Sequence, residues 1–192
     1  IWVLEHFPVY TRGVSCRDEP RCSTGEVPVV DSDRGGQITY HGPGQLVVYL
    51  LLDLRRLGLG IRDLVSSVER TVIGLLGEHA VEATIEPGAP GVYVSGSKVA
   101  AIGFRIHRGC CYHGLSLNVD MDLTPFQSID PCGYAGLQVT QLRELGVTVA
   151  FARVRQRLVD CFTAELRYGQ IVSGEAKLPV LNIHPSVSQQ VS

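Results

Sequence analysis

The chain has 192 residues, 45% of them hydrophobic and 19% charged, with 21 Gly and 10 Pro, an ordinary globular composition that excludes disordered, collagen-like and coiled-coil classes. At this length one compact domain that buries roughly 70% of its unfolded surface is expected. Seventeen Lys and Arg against nineteen Asp and Glu give a net charge of -2, so no whole-molecule field draws the chain to nucleic acid or to an anionic membrane, and neither is expected as a partner.

The apolar run Leu46 to Leu52 falls far short of the ~20 residues that span a bilayer. The start, Ile1-Trp2-Val3-Leu4-Glu5-His6, has no initiator Met, cationic stretch or small-residue cleavage site. It reads as the inside of a domain rather than as a secretory signal. The six cysteines, Cys16, Cys22, Cys110, Cys111, Cys132 and Cys161, contain no C-x-x-C pair and no His at ligand spacing. They are read as reduced thiols of a cytoplasmic protein, with no metal site and no cofactor expected.

In chain order, Ile1 to Leu4 and Val27 to Val30 read as short β-branched strands. Gln45 to Leu54 reads as a longer strand, apolar throughout and so buried on both faces. Ile61 to His79 carries Ile61, Leu64, Val65, Val68, Val72, Leu75 and Leu76 in steps of three and four, which predicts a helix. Val92 to Val94, Val99 to Ile106 and Tyr112 to Val119 read as strands joined by Ser95-Gly96-Ser97 and Arg108-Gly109, turn chemistry of short hairpins. A helix is expected to begin at Leu137, and another from Val149 to Leu166 with Thr148 as its cap. These elements predict an α+β fold with a mixed, largely antiparallel sheet and flanking helices. Residues 1–169 are expected to form one domain and residues 170–192 an extension that frays.

Three segments carry chemistry. In the first, Arg34-Gly35-Gly36-Gln37-Ile38-Thr39-Tyr40-His41-Gly42-Pro43-Gly44-Gln45, a hairpin would need two to five turn residues and this stretch spends twelve. Its glycines let backbone approach a ligand, Arg34 offers a fork of donors to oxygen, and Ile38 with Tyr40 can wall an apolar slot. The second, Gly96-Ser97-Lys98-Val99-Ala100-Ala101-Ile102-Gly103, holds the only lysine between Ile1 and Cys161. An ammonium there is either solvent-facing or a compact charge that acts on a neighbour. The third, Ile129-Asp130-Pro131-Cys132-Gly133-Tyr134-Ala135-Gly136, sets a thiol between Pro131 and Gly133, a geometry for an accessible nucleophile, and a cation nearby would raise its thiolate fraction. The other five cysteines read as small buried hydrophobes. His113, at the start of an alternating strand, either orients an acyl carbonyl or is a hydrogen-bonded strand residue. His41 gains weight from its company, whereas His6, His79, His107 and His184 lie outside any cluster.

Together RGGQITYHGPGQLVVYLLLDL, SGSKVAAIGFRIHRG and YHGLSLNVDMDLTPFQSIDPCGYAG resemble the lipoate biosynthesis octanoyltransferases, a family related to the lipoate and biotin protein ligases. The resemblance runs from Trp2 to about Gln141. It implies transfer of an octanoyl group from octanoyl-acyl carrier protein, through a thioester on Cys132, to a lysine of the lipoyl domains of 2-oxoacid dehydrogenase complexes and of the glycine cleavage H protein. By the same resemblance Lys98 would lower the Cys132 pKa and position the thioester. Arg34, Gly35, Gly36, Gln37, Ile38, Thr39, Tyr40 and His41 would line the acyl approach, with Ala101, Ile102, Gly103, Gly114, Leu115 and Ser116 completing the pocket. An amide near Gly133 or the Lys98 ammonium would meet the oxyanion. Relatives carry a strand and helix upstream of the stretch that resembles Ile1 to His6, a portion not present here, and Tyr49-Leu50 stands where many have Tyr-Pro. The rival readings are an ATP-dependent lipoate or biotin ligase, a non-catalytic lipoyl-domain binding module, and a metal hydrolase for which no carboxylate and His cluster is found.

Overall fold

A computed structural model describes residues 1–16, 25–129 and 138–168 with Val172 and Gly174. Among them the strands are β1 (Trp2–Leu4), β2 (Val9–Arg12), β3 (Val29–Asp31), β4 (Ile38–His41), β5 (Gln45–Tyr49), β6 (Leu52–Asp53), β7 (Gly91–Val94), β8 (Ser97–His107) and β9 (Cys110–Asn118). The helices are α1 (Leu54–Leu57), α2 (Ile61–Gly77) and α3 (Phe151–Glu165), with a 3-10 turn at Thr124–Ser128.

The larger sheet has the order β1-β5-β9-β8-β7, with β6 also on β9, and all its pairings are antiparallel. Its two hairpins turn where glycine chemistry predicts. Ser95 and Gly96, then Arg108 and Gly109, all have positive φ, the signature of a type I′ turn that matches strand twist. The predicted strand Gln45 to Leu54 is interrupted instead of continuous. β5 pairs with β9 as far as Tyr49↔Gly114, and β6 resumes at Leu52↔Cys111 in the same register. The break faces His113, whose φ of 62 is left-handed and distorts the ladder opposite it. Asp53 then leaves the strand to cap α1, its carboxylate accepting from the Arg55 and Arg56 amides.

A smaller sheet, β3-β2-β4, was not expected. β2 lies parallel to β3 and antiparallel to β4. The Val27 to Val30 strand starts two residues later and ends one residue later, as β3.

One face of the larger sheet packs on the helices. Leu46, Val48, Leu115 and Leu117 meet Leu64, Val68, Val72, Leu75 and Leu76 of α2 and Val154, Leu158 and Phe162 of α3. These apolar stripes are what the three-and-four spacing predicts. α3 begins at Phe151 with Ala150 at its N-cap and no side-chain cap. Thr148 therefore does not cap it, because Ala150 itself supplies the extended backbone at the helix start. A second core, Tyr10, Ile38, Tyr40, Met121, Phe126 and Ile129, fills the far side of the smaller sheet. No helix follows Leu137 over the described residues. Gln138 to Thr140 are extended, with Val139 bridged in parallel to Lys98. Leu137 itself, the 130–137 segment and most of the C-terminal extension lie outside the described residues.

Candidate active site

The free face of the larger sheet is made of small side chains. Along β8 and β9, Ala101 stands directly opposite Ser116 and Gly103 directly opposite Gly114, a pairing that leaves a trough where aliphatic side chains would otherwise fill space. The smaller sheet and the 32–37 segment close over this trough and leave a cavity of about 140 Å³, the scale of an engineered cavity that admits one benzene ring.

Of the residues singled out from sequence, Arg34, Gly35, Gly36, Gln37, Ile38, Thr39, His41, Ala101, Ile102, Gly103, His113, Gly114, Leu115 and Ser116 all line this cavity. Tyr40 does not. β4 alternates, so Thr39 and His41 face the cavity side while Tyr40 enters the second core against Tyr10 and Phe126. Burial raises its phenol pKa.

His6, Val9, Thr11, Ser32, Val47 and Tyr49 also line the cavity. His6, read from sequence as outside any cluster, is hydrogen-bonded to the Tyr49 hydroxyl at 2.7 Å, with its ring 5.6 Å from that of His41. The clue was the alternation of β5, which sends Leu46 and Val48 to the helices and Val47 and Tyr49 to the cavity.

The 32–37 segment is set by two close approaches. The Gly35 amide donates to the Phe104 carbonyl at 2.9 Å. A Cβ on Gly35 would lie 2.9 Å from that same oxygen, and one on Gly103 2.9 Å from the Gly35 carbonyl. Glycine at both positions is what lets the loop rest on the strand. Arg34 does offer a fork of donors, and it spends that fork within the protein. Nε donates to Thr11 Oγ1 at 3.0 Å, Nη1 to the Gly35 carbonyl at 3.0 Å, and Nη2 to the Thr11 and Gln37 carbonyls at 2.5 and 2.6 Å. It fastens the loop to β2.

Burial disfavours the charged form of two imidazoles of the wall, His41 and His6. Burial drives the His41 pKa down to about 4, helped by the nearby Arg34 and His6 and opposed by the Gln45 hydrogen bond. Burial also lowers that of His6 and raises that of Tyr49. At the rim His113 Nε2 lies 2.7 Å from Asp33 Oδ1, and the Tyr112 hydroxyl donates to Asp33 Oδ2. The His113 and Tyr112 hydrogen bonds hold the Asp33 carboxyl below its ordinary range. His113 reaches this partner from a left-handed backbone, a conformation that costs a non-glycine residue energy and concentrates at functional sites.

Lys98 is 3% exposed, so the solvent-facing alternative does not hold. Its amide donates to the Gln138 carbonyl at 2.8 Å, and its carbonyl accepts from the Thr140 amide at 3.0 Å. On its other side β7 and β8 shift register between Val92 and Tyr93, so Tyr93 pairs with Lys98 across a bulge at Val99. Such a bulge re-aims a side chain. Nζ donates to the Pro90 carbonyl at 3.4 Å and lies 5.1 Å from the Tyr93 ring centroid. Cys132 and Gly133 lie outside the described residues. The described thiols are Cys16, Cys110, Cys111 and Cys161, and burial pushes that of Cys111 up to about 11, a poor nucleophile. No group of three or more metal-ligating side chains occurs among the described residues, and no helix among them is long and apolar enough to cross a membrane.

Comparison with known proteins gives a consistent picture. The profile of the lipoyl protein ligase A/B catalytic domain matches residues 1–163. An octanoyltransferase of Stutzerimonas stutzeri is 56% identical over 170 residues, covering 88% of this chain and 78% of that protein. One of Nitrosospira multiformis is 54% identical over 167 residues, covering 87% and 78%. Among solved structures, the bipartite lipoate protein ligase of Thermoplasma acidophilum superposes with a TM-score of 0.69 at 16% identity, over 86% of this chain and 70% of that one. Biotin protein ligase of Aquifex aeolicus superposes with a TM-score of 0.53 at 18% identity, over 65% and 53%. These structures share the predicted fold.

Proposed function

Because the chain belongs to the lipoyl protein ligase A/B catalytic-domain family, we propose that it is an octanoyltransferase, moving an octanoyl group from an acyl carrier protein thioester to a lysine of a lipoyl domain. The observation that carries this reading is the narrow trough floored by Ala101 and Gly103 of β8 and Gly114 and Ser116 of β9, with the buried Lys98 near the start of β8. The trough's volume fits one alkyl chain, and burial disfavours a charge on His41 and His6 beside the methylene groups.

The chemistry proceeds in two steps. The Cys132 thiolate attacks the donor carbonyl, the bond to the carrier sulfur breaks, and the carrier leaves as its thiolate. The acceptor lysine, as the free amine, then attacks the Cys132 thioester; an amide forms as the nitrogen loses one proton to water, and the Cys132 thiolate is released. The first step exchanges one thioester for another and the second is downhill, so neither step calls for ATP or a metal. Lys98 acts as the cation that favours the thiolate and meets the tetrahedral oxyanion. Both its amide and its carbonyl are hydrogen-bonded to the 138–140 segment, which begins shortly after Cys132 in the sequence, and this supports its nearness to Cys132. The loop bearing Asp33, Arg34 and Gly35 is the lid over the acyl chain, and the intermediate and both partners are cytoplasmic.

Incubation with octanoyl-carrier thioester and an apo lipoyl domain, without ATP, should yield an octanoyl amide on the domain. Transfer that requires free octanoate and ATP, with pyrophosphate released, would instead establish a ligase.

A further inference from the structure

A line of side chains leaves the cavity wall and passes through the larger sheet to the strand of Lys98. His41 Nδ1 lies 2.7 Å from Gln45 Oε1. Gln45 Nε2 donates to Asn118 Oδ1 at 2.9 Å and to the Tyr40 carbonyl at 3.3 Å. Asn118 Nδ2 donates to the Thr140 carbonyl at 2.9 Å, and the Thr140 amide donates to the Lys98 carbonyl. Gln45 is 1% exposed and Asn118 5%. Away from water each of these groups must find its partner inside the protein.

The direction of every bond is fixed by two backbone carbonyls, which only accept. The Tyr40 carbonyl requires the amide nitrogen of Gln45 on its side, so Oε1 faces His41 and the proton there sits on Nδ1. The Thr140 carbonyl requires the amide nitrogen of Asn118, so Oδ1 faces Gln45. At the other end of the ring, His41 Nε2 lies 3.4 Å from Thr11 Oγ1. That hydroxyl oxygen accepts from Arg34 Nε, and its own proton is directed to the Nε2 lone pair.

We propose that Gln45 and Asn118 are positioning residues of the transfer reaction, one directed relay of buried amides holding His41 as its Nδ1-protonated tautomer while anchoring the 138–140 segment that fixes the Lys98 backbone. Cavity wall and Lys98 are thereby set by the same hydrogen bonds. The proposal rests on the octanoyltransferase reading for its rate effects and on geometry alone for the tautomer. The charged and titratable groups that face His41 are Arg34 and His6. Both disfavour an imidazolium, so a neutral acceptor at position 45 leaves the ring neutral. A carboxylate there would favour the charged ring and would set oxygen against Asn118 Oδ1.

The test combines ring-nitrogen NMR of His41 with transfer rates from pH 5 to 8 for wild type, Gln45→Glu and Asn118→Leu, all first shown to be folded. Wild type should show the Nδ1-protonated tautomer and no His41 titration in this range. Gln45→Glu should bring a new His41 ionisation into the range, visible in both the NMR and the pH profile. Asn118→Leu should lose about tenfold in kcat with the donor KM unchanged. An Nε2-protonated or charged His41 in wild type would overturn the proposal. So would a Gln45→Glu pH profile parallel to wild type, and that arm decides the matter if Asn118→Leu does not fold. Wild type that transfers no octanoyl group would defeat the functional reading while leaving the tautomer result to stand or fall separately.

Discussion

The two faces of the larger sheet use the same strands for opposite ends. Toward α2 and α3, Leu46, Val48, Leu115 and Leu117 are almost fully buried against aliphatic partners. Toward the smaller sheet, the intervening positions are Val47, Gly114 and Ser116, joined by Ala101 and Gly103 of β8. A strand's two-residue period lets one face supply stability through volume while the other supplies a cavity through its lack of volume. Stability and transfer should therefore respond to different substitutions one residue apart.

The largest expected effect on transfer is that of Lys98→Met. It keeps an unbranched chain at a buried position and removes the ammonium, and transfer should fall at least about a hundredfold, checked by single-turnover acyl transfer, with the thermal midpoint little changed. On the helix side, Leu117→Ala should cost about 2–5 kcal/mol and lower the midpoint in a thermal scan by several degrees. Transfer measured well below that midpoint should stay near wild type. A large loss there would erase the distinction between the faces.

The next effect concerns pH. His41 has a folded pKa of about 4 against 6.5 when free. Its folded form binds fewer protons than its unfolded form between those values. Its contribution is complete above about pH 6.5 and is lost as pH falls toward 4, on the order of 3 kcal/mol across the window. Urea titrations at pH 5 and 7 should show about 2 kcal/mol of this difference, and His41→Gln should shrink it. The smallest effect is Ala101→Leu, which fills the trough. Octanoyl transfer should drop about tenfold while a butanoyl donor is largely spared, read as the ratio of kcat/KM for the two donors.

What was legible in the sequence follows range in the chain. The hairpin of β8 and β9 and the helices α2 and α3 are local patterns, a period of two with glycine turns and a period of three and four, and they stand where expected. The smaller sheet was missed because β2, only Val9–Arg12, pairs with strands far along the chain and not with a hairpin neighbour. Without that sheet, the facing of β4 could not be fixed. Ile38 and Tyr40 were read together as walls, whereas the second core claims both and only Ile38 also borders the cavity. Arg34 was legible as a donor, but its acceptors include the Thr11 hydroxyl and backbone carbonyls of the fold itself. His6 and Tyr49 could be placed only once β1 was paired with β5.

The measurement that bears most directly on the account is the intact mass of the protein after incubation with an octanoyl-carrier thioester, with Cys132→Ser in parallel and no ATP present. Wild type alone should gain one octanoyl group and lose it to an apo lipoyl domain. An unmodified wild type, or an equal gain on Cys132→Ser, would contradict transfer through that thiol.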